Sequence, residues 1–100
     1  EEFLLMLPHD PDRTSDVRVR AVLNVVGTRP VVVGDLRVVV HCSIGFTRCR
    51  PPAEGIEQHI DLVIGRADLA LYRAKNAGRH RGVEAQESDS EDPRWLSVEP

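Results

Sequence analysis

Two groups of charged residues in this chain have the types and spacing that chemistry would use. Lys75 and Arg79 stand four positions apart, on the same side of a helix predicted by the run Arg66-Ala67-Asp68-Leu69-Ala70-Leu71-Tyr72-Arg73-Ala74. Two cations converging where a helix meets a loop can grip a phosphate chain. Charge-assisted bonds of that kind are worth roughly 1.5–3 kcal/mol each when well formed. Lys75 is also the only lysine among 13 basic side chains. The plainer reading is a pair of cations stabilised by the helix dipole, worth only ~0.3–1 kcal/mol. At the other end, Glu1 and Glu2 head the apolar run Phe3-Leu4-Leu5-Met6-Leu7. Taken alone, these carboxylates are an acidic start to a strand.

The elements that must position these residues follow from periodicity. Phe3 to Leu7 is apolar on both alternating faces, as a strand covered on each side should be. Pro8, Asp10 and Pro11 stop it, and Thr14 or Ser15 is suited to capping a following helix. Val17, Val19, Ala21, Leu23 and Val25 alternate with Arg18, Arg20, Val22 and Asn24, which by itself is strand periodicity. Val31-Val32-Val33, Gly34-Asp35 and Leu36 onward predict a hairpin, with glycine where a type II′ turn needs a positive φ. Its second strand should carry Leu36, Val38, Val40, Cys42 and Ile44 on one core face. From about Glu57 to Ala77 the period is helical: Ile60, Val63, Ile64, Ala67, Ala70, Leu71 and Ala74 fall in a stripe of roughly 120° that should lie on a sheet. Gly78 suits the left-handed position after a helix end, and Arg81 to Ala85 reads as a short edge strand. Residues 87–93 are acidic and polar, so residues 86–100 are expected to form a disordered tail in which Trp95 and Leu96 stay undocked.

Composition excludes several classes. One hundred residues allow one small domain, with an ordinary balance of 41% hydrophobic and 29% charged residues. A net charge of −3 gives no basis for non-specific nucleic-acid binding. No apolar run approaches the ~18 residues of a membrane span. Cys42 and Cys49 form neither a zinc pattern nor a disulfide scaffold and are expected to be reduced thiols. Asp68 and Tyr72 read as structural, and His41 as an ordinary surface or packed histidine.

With Ala67-Asp68, Ala70-Leu71-Tyr72, Ala74-Lys75 and Gly78-Arg79 in place, the chain resembles the second half of a GGDEF domain, the catalytic domain of diguanylate cyclases. In that family an Ala-Asp-x-Ala-Leu-Tyr-x-Ala-Lys-x-x-Gly-Arg stretch closes the last helix. A Ser-Ile-Gly strand end, present here as Ser43-Ile44-Gly45, is also typical. Glu1-Glu2-Phe3 matches the end of the Gly-Gly-[Asp/Glu]-Glu-Phe signature, whose two glycines would precede residue 1. The resemblance covers roughly residues 1 to 84. It implies a helix over residues 17–26 in place of the strand that alternation favours, and we expect that helix.

The resemblance further implies an α+β fold. An antiparallel sheet flanked by helices would form a partial ferredoxin-like, nucleotide-cyclase palm running strand, helix, hairpin, helix, short strand. Residues 1–85 would be the C-terminal part of the domain and 86–100 the tail. The implied reaction condenses two GTP to cyclic di-GMP with loss of pyrophosphate, in a cytoplasmic homodimer governed by an upstream sensor domain. Glu1 and Glu2 would be the catalytic, Mg²⁺-binding carboxylates, since that hard cation prefers oxygen ligands. Lys75 and Arg79 would bind the β- and γ-phosphates. The signature glycines and the family's metal-binding aspartate are not among these 100 residues, so the stretch alone is expected not to catalyse and to expose sheet edges. Two alternatives stand beside this reading: a degenerate GGDEF domain acting as a GTP-binding or regulatory module, and a non-enzymatic ferredoxin-like interaction domain.

Overall fold

A computed structural model describes residues 1–87 and 93–100. The segment with alternating valines is a helix, α1, over Ser15–Thr28. Strand-like alternation in residues 17–25 overlaps a second pattern, Val19, Leu23 and Val26, whose spacings of four and three place them on one helical face. That face wins because it is the one that finds cover: Leu23 is fully buried. Before α1, the turn is held by Asp10, whose carboxylate accepts the Asp12 N–H at 2.9 Å and Arg13 Nε at 3.0 Å.

Strands β1 (Val31–Val33) and β2 (Leu36–Val38) form the expected antiparallel hairpin, Val33 opposite Leu36. Gly34 has φ +60 while Asp35 has no positive φ, the combination a type II′ turn requires. The second strand, however, stops at Val38 rather than continuing to Ile44. Leu36 and Val38 are exposed instead of forming a core face, because among the described residues no other strand pairs with this two-stranded sheet.

Ile44 instead begins β3 (Ile44–Thr47), which belongs to a separate three-stranded sheet with β4 (Gly82–Gln86) and β5 (Arg94–Val98), in the order β3-β4-β5. Helix α2 (Ile56–Asn76) connects β3 to β4. The expected α+β class is found, with mixed strand orientation. β1–β2 and β4–β5 are antiparallel, whereas β3 and β4 are parallel. A connection through a 21-residue helix returns the chain to the starting edge of the sheet, which is how parallel neighbours are joined.

Strand alternation assigns the two faces of this sheet. Val83 and Ala85 meet Ala70 and Ala74 of α2 in the buried cluster, with Trp95 packed against it. Gly45 lies on the same face, and a Cβ there would fall 2.1 Å from Leu71 N and 2.2 Å from Ala67 O. The absence of a side chain is what lets β3 and α2 touch backbone to backbone. Gly82 faces the other way, where a Cβ would meet Val19 of α1 at 2.7 Å. The sheet is therefore sandwiched between α2 and α1.

Three expectations are corrected here. Phe3–Leu7 is not a strand; it has no ladder partner among the described residues, and Phe3 is 85% exposed. An extended segment needs paired backbone groups or a covered face to persist as a strand. β4 is central rather than an edge, since β5 pairs with it from Gly82↔Val98 to Gln86↔Arg94. Residues 94–98 are thus a strand where an undocked tail was expected. The pairing gives their backbone partners, and Trp95 gains the α2 surface, with Arg73 Cζ 4.1 Å above its ring. The expectation of disorder for residues 88–92 falls outside the described residues.

Candidate functional site

The helix exit is built by the C-terminal signals of α2. Ala77 N–H donates to Arg73 O at 2.9 Å and Arg79 N–H to Ala74 O at 3.0 Å, closing the last carbonyls. Gly78 has φ +119, the positive value that a glycine takes without steric cost. Arg79 (φ +62) and His80 (φ +50) follow, two consecutive non-glycine residues in the left-handed region. Such backbone costs roughly 1–3 kcal/mol per residue and persists only where surrounding structure over-determines it.

Lys75 and the N-terminal carboxylates come from opposite ends of the chain. Lys75 Nζ donates to Glu2 Oε2 at 3.0 Å, linking residues 73 positions apart. Both side chains are more than a third exposed, so the pair contributes at most about 1 kcal/mol to stability. Glu1 is exposed and joins no ion pair among the described residues. Arg79 does not share the Lys75–Glu2 contact. It lines an open cleft of about 400 Å³ with Gly78, His80, Arg81, Glu99 and Pro100. Its carbonyl accepts Arg81 Nε at 3.1 Å, and Arg81 approaches Glu99 to 3.9 Å. One cation is therefore held by a carboxylate at the N-terminus, and the other lines a cleft of its own.

The donor set at the N-terminus fits a hard cation in kind. Mg²⁺ is commonly held by one or two carboxylates, with waters and substrate phosphates completing its octahedron. Glu1 and Glu2 supply two such carboxylates. No group of three or more His, Cys, Asp or Glu side chains gathers for a metal among the described residues.

Several neighbours gave no signal in the sequence. His41 stacks edge-on against His80 with ring centroids 4.1 Å apart, and His80 Nδ1 is buried without a hydrogen-bond partner among the described residues. Glu84 is 2% exposed; its Oε1 accepts Gln86 Nε2 at 2.9 Å, while Oε2 has no partner among the described residues. The His41–His80 contact joins residues far apart along the chain, so no local spacing announces it. Glu84 shares its strand face with Gly82 and Gln86, opposite Val83 and Ala85, so alternation gave no sign of its burial. Tyr72 is exposed and shares no hydrogen bond with Asp68 among the described residues. It lines a larger open groove with Leu69, Arg73, Val83 and Trp95. Cys42 is half-buried, and burial pushes its thiol above the ordinary value.

Among the described residues no helix is long and apolar enough to cross a membrane. Comparison with curated proteins and with solved structures gave no match. Comparison with protein families matched residues 1–81 to the GGDEF family model, described as the diguanylate cyclase GGDEF domain. That span takes in the acidic N-terminus, the Ser43-Ile44-Gly45 strand, all of α2 and the strained exit at Arg79. The chain belongs to the GGDEF family of diguanylate cyclases.

Proposed function

We propose that this chain forms the C-terminal part of a diguanylate cyclase domain and contributes one side of the site at which two GTP are condensed to cyclic di-GMP. The observation that carries this reading is the 3.0 Å contact between Lys75 Nζ and Glu2 Oε2, which unites the acidic and cationic ends of the chain. Glu1 and Glu2 would hold Mg²⁺, and Lys75 and Arg79 would hold the β- and γ-phosphates of GTP. The metal, when bound, supplies Lewis-acid polarisation of the α-phosphate and lowers the pKa of the attacking 3′-hydroxyl.

The chain's own residues do the rest. Lys75 is oriented by Glu2 before substrate arrives, so less side-chain freedom is lost when it turns to phosphate. Arg79, held at φ +62 immediately beyond the helix, presents a planar fork of donors suited to bidentate phosphate binding. Charge accumulating on departing pyrophosphate would be met by both cations, stabilisation that counts where it exceeds that given to bound GTP. The productive unit in this reading is a cytoplasmic homodimer, each protomer presenting one GTP, under an upstream sensor. The isolated chain would show no cyclase turnover.

The test is a titration of GTP with Mg²⁺ against the complete domain and its Lys75→Ala variant. Loss of one charge-assisted phosphate contact should weaken affinity roughly tenfold to a hundredfold. Equal affinity would remove Lys75 from phosphate binding and favour a capping role at the end of α2.

A further inference from the structure

Away from this site, the loop between β3 and α2 brings a thiol and an imidazole together. Cys49 Sγ lies 3.5 Å from His59 Nε2, a contact between an exposed loop residue and the first turn of α2. The ring is held on a formed helix, since His59 N–H donates to Gly55 O at 3.0 Å. On the thiol side, Pro51 and Pro52 follow Arg50 directly and restrict the loop backbone. Neither partner is needed by the nucleotide site.

The surroundings define what this pair could take. Arg48 and Arg50 flank Cys49 in the chain, and both are exposed. The guanidinium of Arg48 reaches towards buried Glu84, at 4.0 Å, and is otherwise solvent-facing. The nearest acidic residues along the chain are Glu54 and Glu57, which come only after the two prolines. Two ligands are too few for a structural zinc site, and no third gathers among the described residues. An exposed thiol beside an imidazole and between two cations suits exchange with an electrophilic, negatively charged disulfide instead.

We propose that Cys49, with His59 as its proton acceptor, is a thiol–disulfide exchange site for small anionic disulfides of the glutathione-disulfide type. In the tautomer protonated on Nδ1, His59 Nε2 accepts the S–H proton as Cys49 Sγ attacks one sulfur of the disulfide. A new S–S bond forms to Cys49 and the old one breaks. The electron pair departs on the released thiolate, which takes the proton from the imidazolium. Cys49 is oxidised, one small thiol is released, and no further reagent is required. Arg48 and Arg50 would hold the carboxylates of the incoming disulfide.

The chain holds its own control. Cys42 is half-buried on the segment before β3, and burial disfavours its thiolate. The reduced 100-residue protein would be incubated with glutathione disulfide across a pH series, quenched with acid and mapped by peptide mass. A parallel arm would use cystamine, a cationic disulfide. Cys49 should acquire the dithiothreitol-reversible adduct roughly tenfold faster than Cys42 at neutral pH. His59→Gln should slow Cys49 about tenfold and move its pH–rate profile. Arg48→Gln with Arg50→Gln should abolish the preference for glutathione disulfide over cystamine. Circular dichroism would verify the fold of each variant, and the Cys49-to-Cys42 ratio in the unmutated protein needs no variant. Equal or faster modification of Cys42 would overturn the proposal. So would a His59→Gln protein with unchanged rate and profile, while equal rates with cystamine would refute the anionic class.

Discussion

At the scale of single residues, Lys75 separates binding from stability. Its pairing with Glu2 is solvent-exposed on both sides, so Lys75→Ala should change unfolding free energy by less than about 1 kcal/mol while lowering GTP affinity in the complete domain. Urea denaturation alongside the nucleotide titration reads both quantities, and a large stability loss would make any affinity change uninterpretable as phosphate contact. Asp10 offers a pH-dependent counterpart. The Asp12 N–H, then the Arg13 guanidinium, hold its carboxyl below the ordinary value of 3.8. A depressed folded-state value means its stabilisation is present above the unfolded value and lost as pH falls through the folded one. Carbon-13 titration should therefore find Asp10 protonating below pH 3.8, and Asp10→Asn should flatten the acid limb of the stability curve there.

At the scale of elements, the contact between β3 and α2 is the most demanding in the molecule. Gly45→Ala would drive a methyl into Leu71 N and Ala67 O, which are helix backbone and cannot swing aside. We expect a loss of about 3 kcal/mol or more, read as a fall in urea midpoint. The family's Ser-Ile-Gly strand end thus has a packing reason in this chain: only glycine lets α2 sit directly on the strand. β5 gives a second element-level prediction. Trp95→Ala removes both the ring packed on the core and its stack with Arg73, and should cost roughly 1–3 kcal/mol. Proteolysis should then cut near residues 94–98 first, because a strand held on one side is released when its anchor is lost.

At the scale of the whole molecule, much apolar surface is left outside the sandwich. Phe3 to Leu7 and both strands of the β1–β2 hairpin are exposed, and the chain extends 53 × 27 × 25 Å. Its radius of gyration of 15.2 Å exceeds the roughly 13 Å of a compact domain of this length. Exposed apolar segments with free backbone groups favour association. Light scattering should show concentration-dependent self-association, reduced by Leu5→Lys with Met6→Lys. An unchanged scattering profile in that variant would exonerate the N-terminal segment and leave the hairpin as the cause.

How much of this was legible in advance depends on how far apart the deciding atoms lie along the chain. The α2 stripe, the glycine after its end, the Gly34 turn and the family motif all depend on neighbours a few residues away, and a linear reading recovers them. Helix α1 was recovered only through the family resemblance, because valine alternation and a Val19–Leu23–Val26 helical face coexist in the same stretch. Distant partners decided the remainder. β3 left the hairpin for β4, β5 made β4 central, and Phe3–Leu7 found no ladder among the described residues. Glu2 met Lys75 and Cys49 met His59 because of where the elements come to rest. By itself the sequence determined the family, the long helix and its cationic exit, since periodicity and caps are local physics. Only the tertiary structure decided which strands pair and which carboxylate faces which cation, because those choices depend on competition among partners dozens of residues apart.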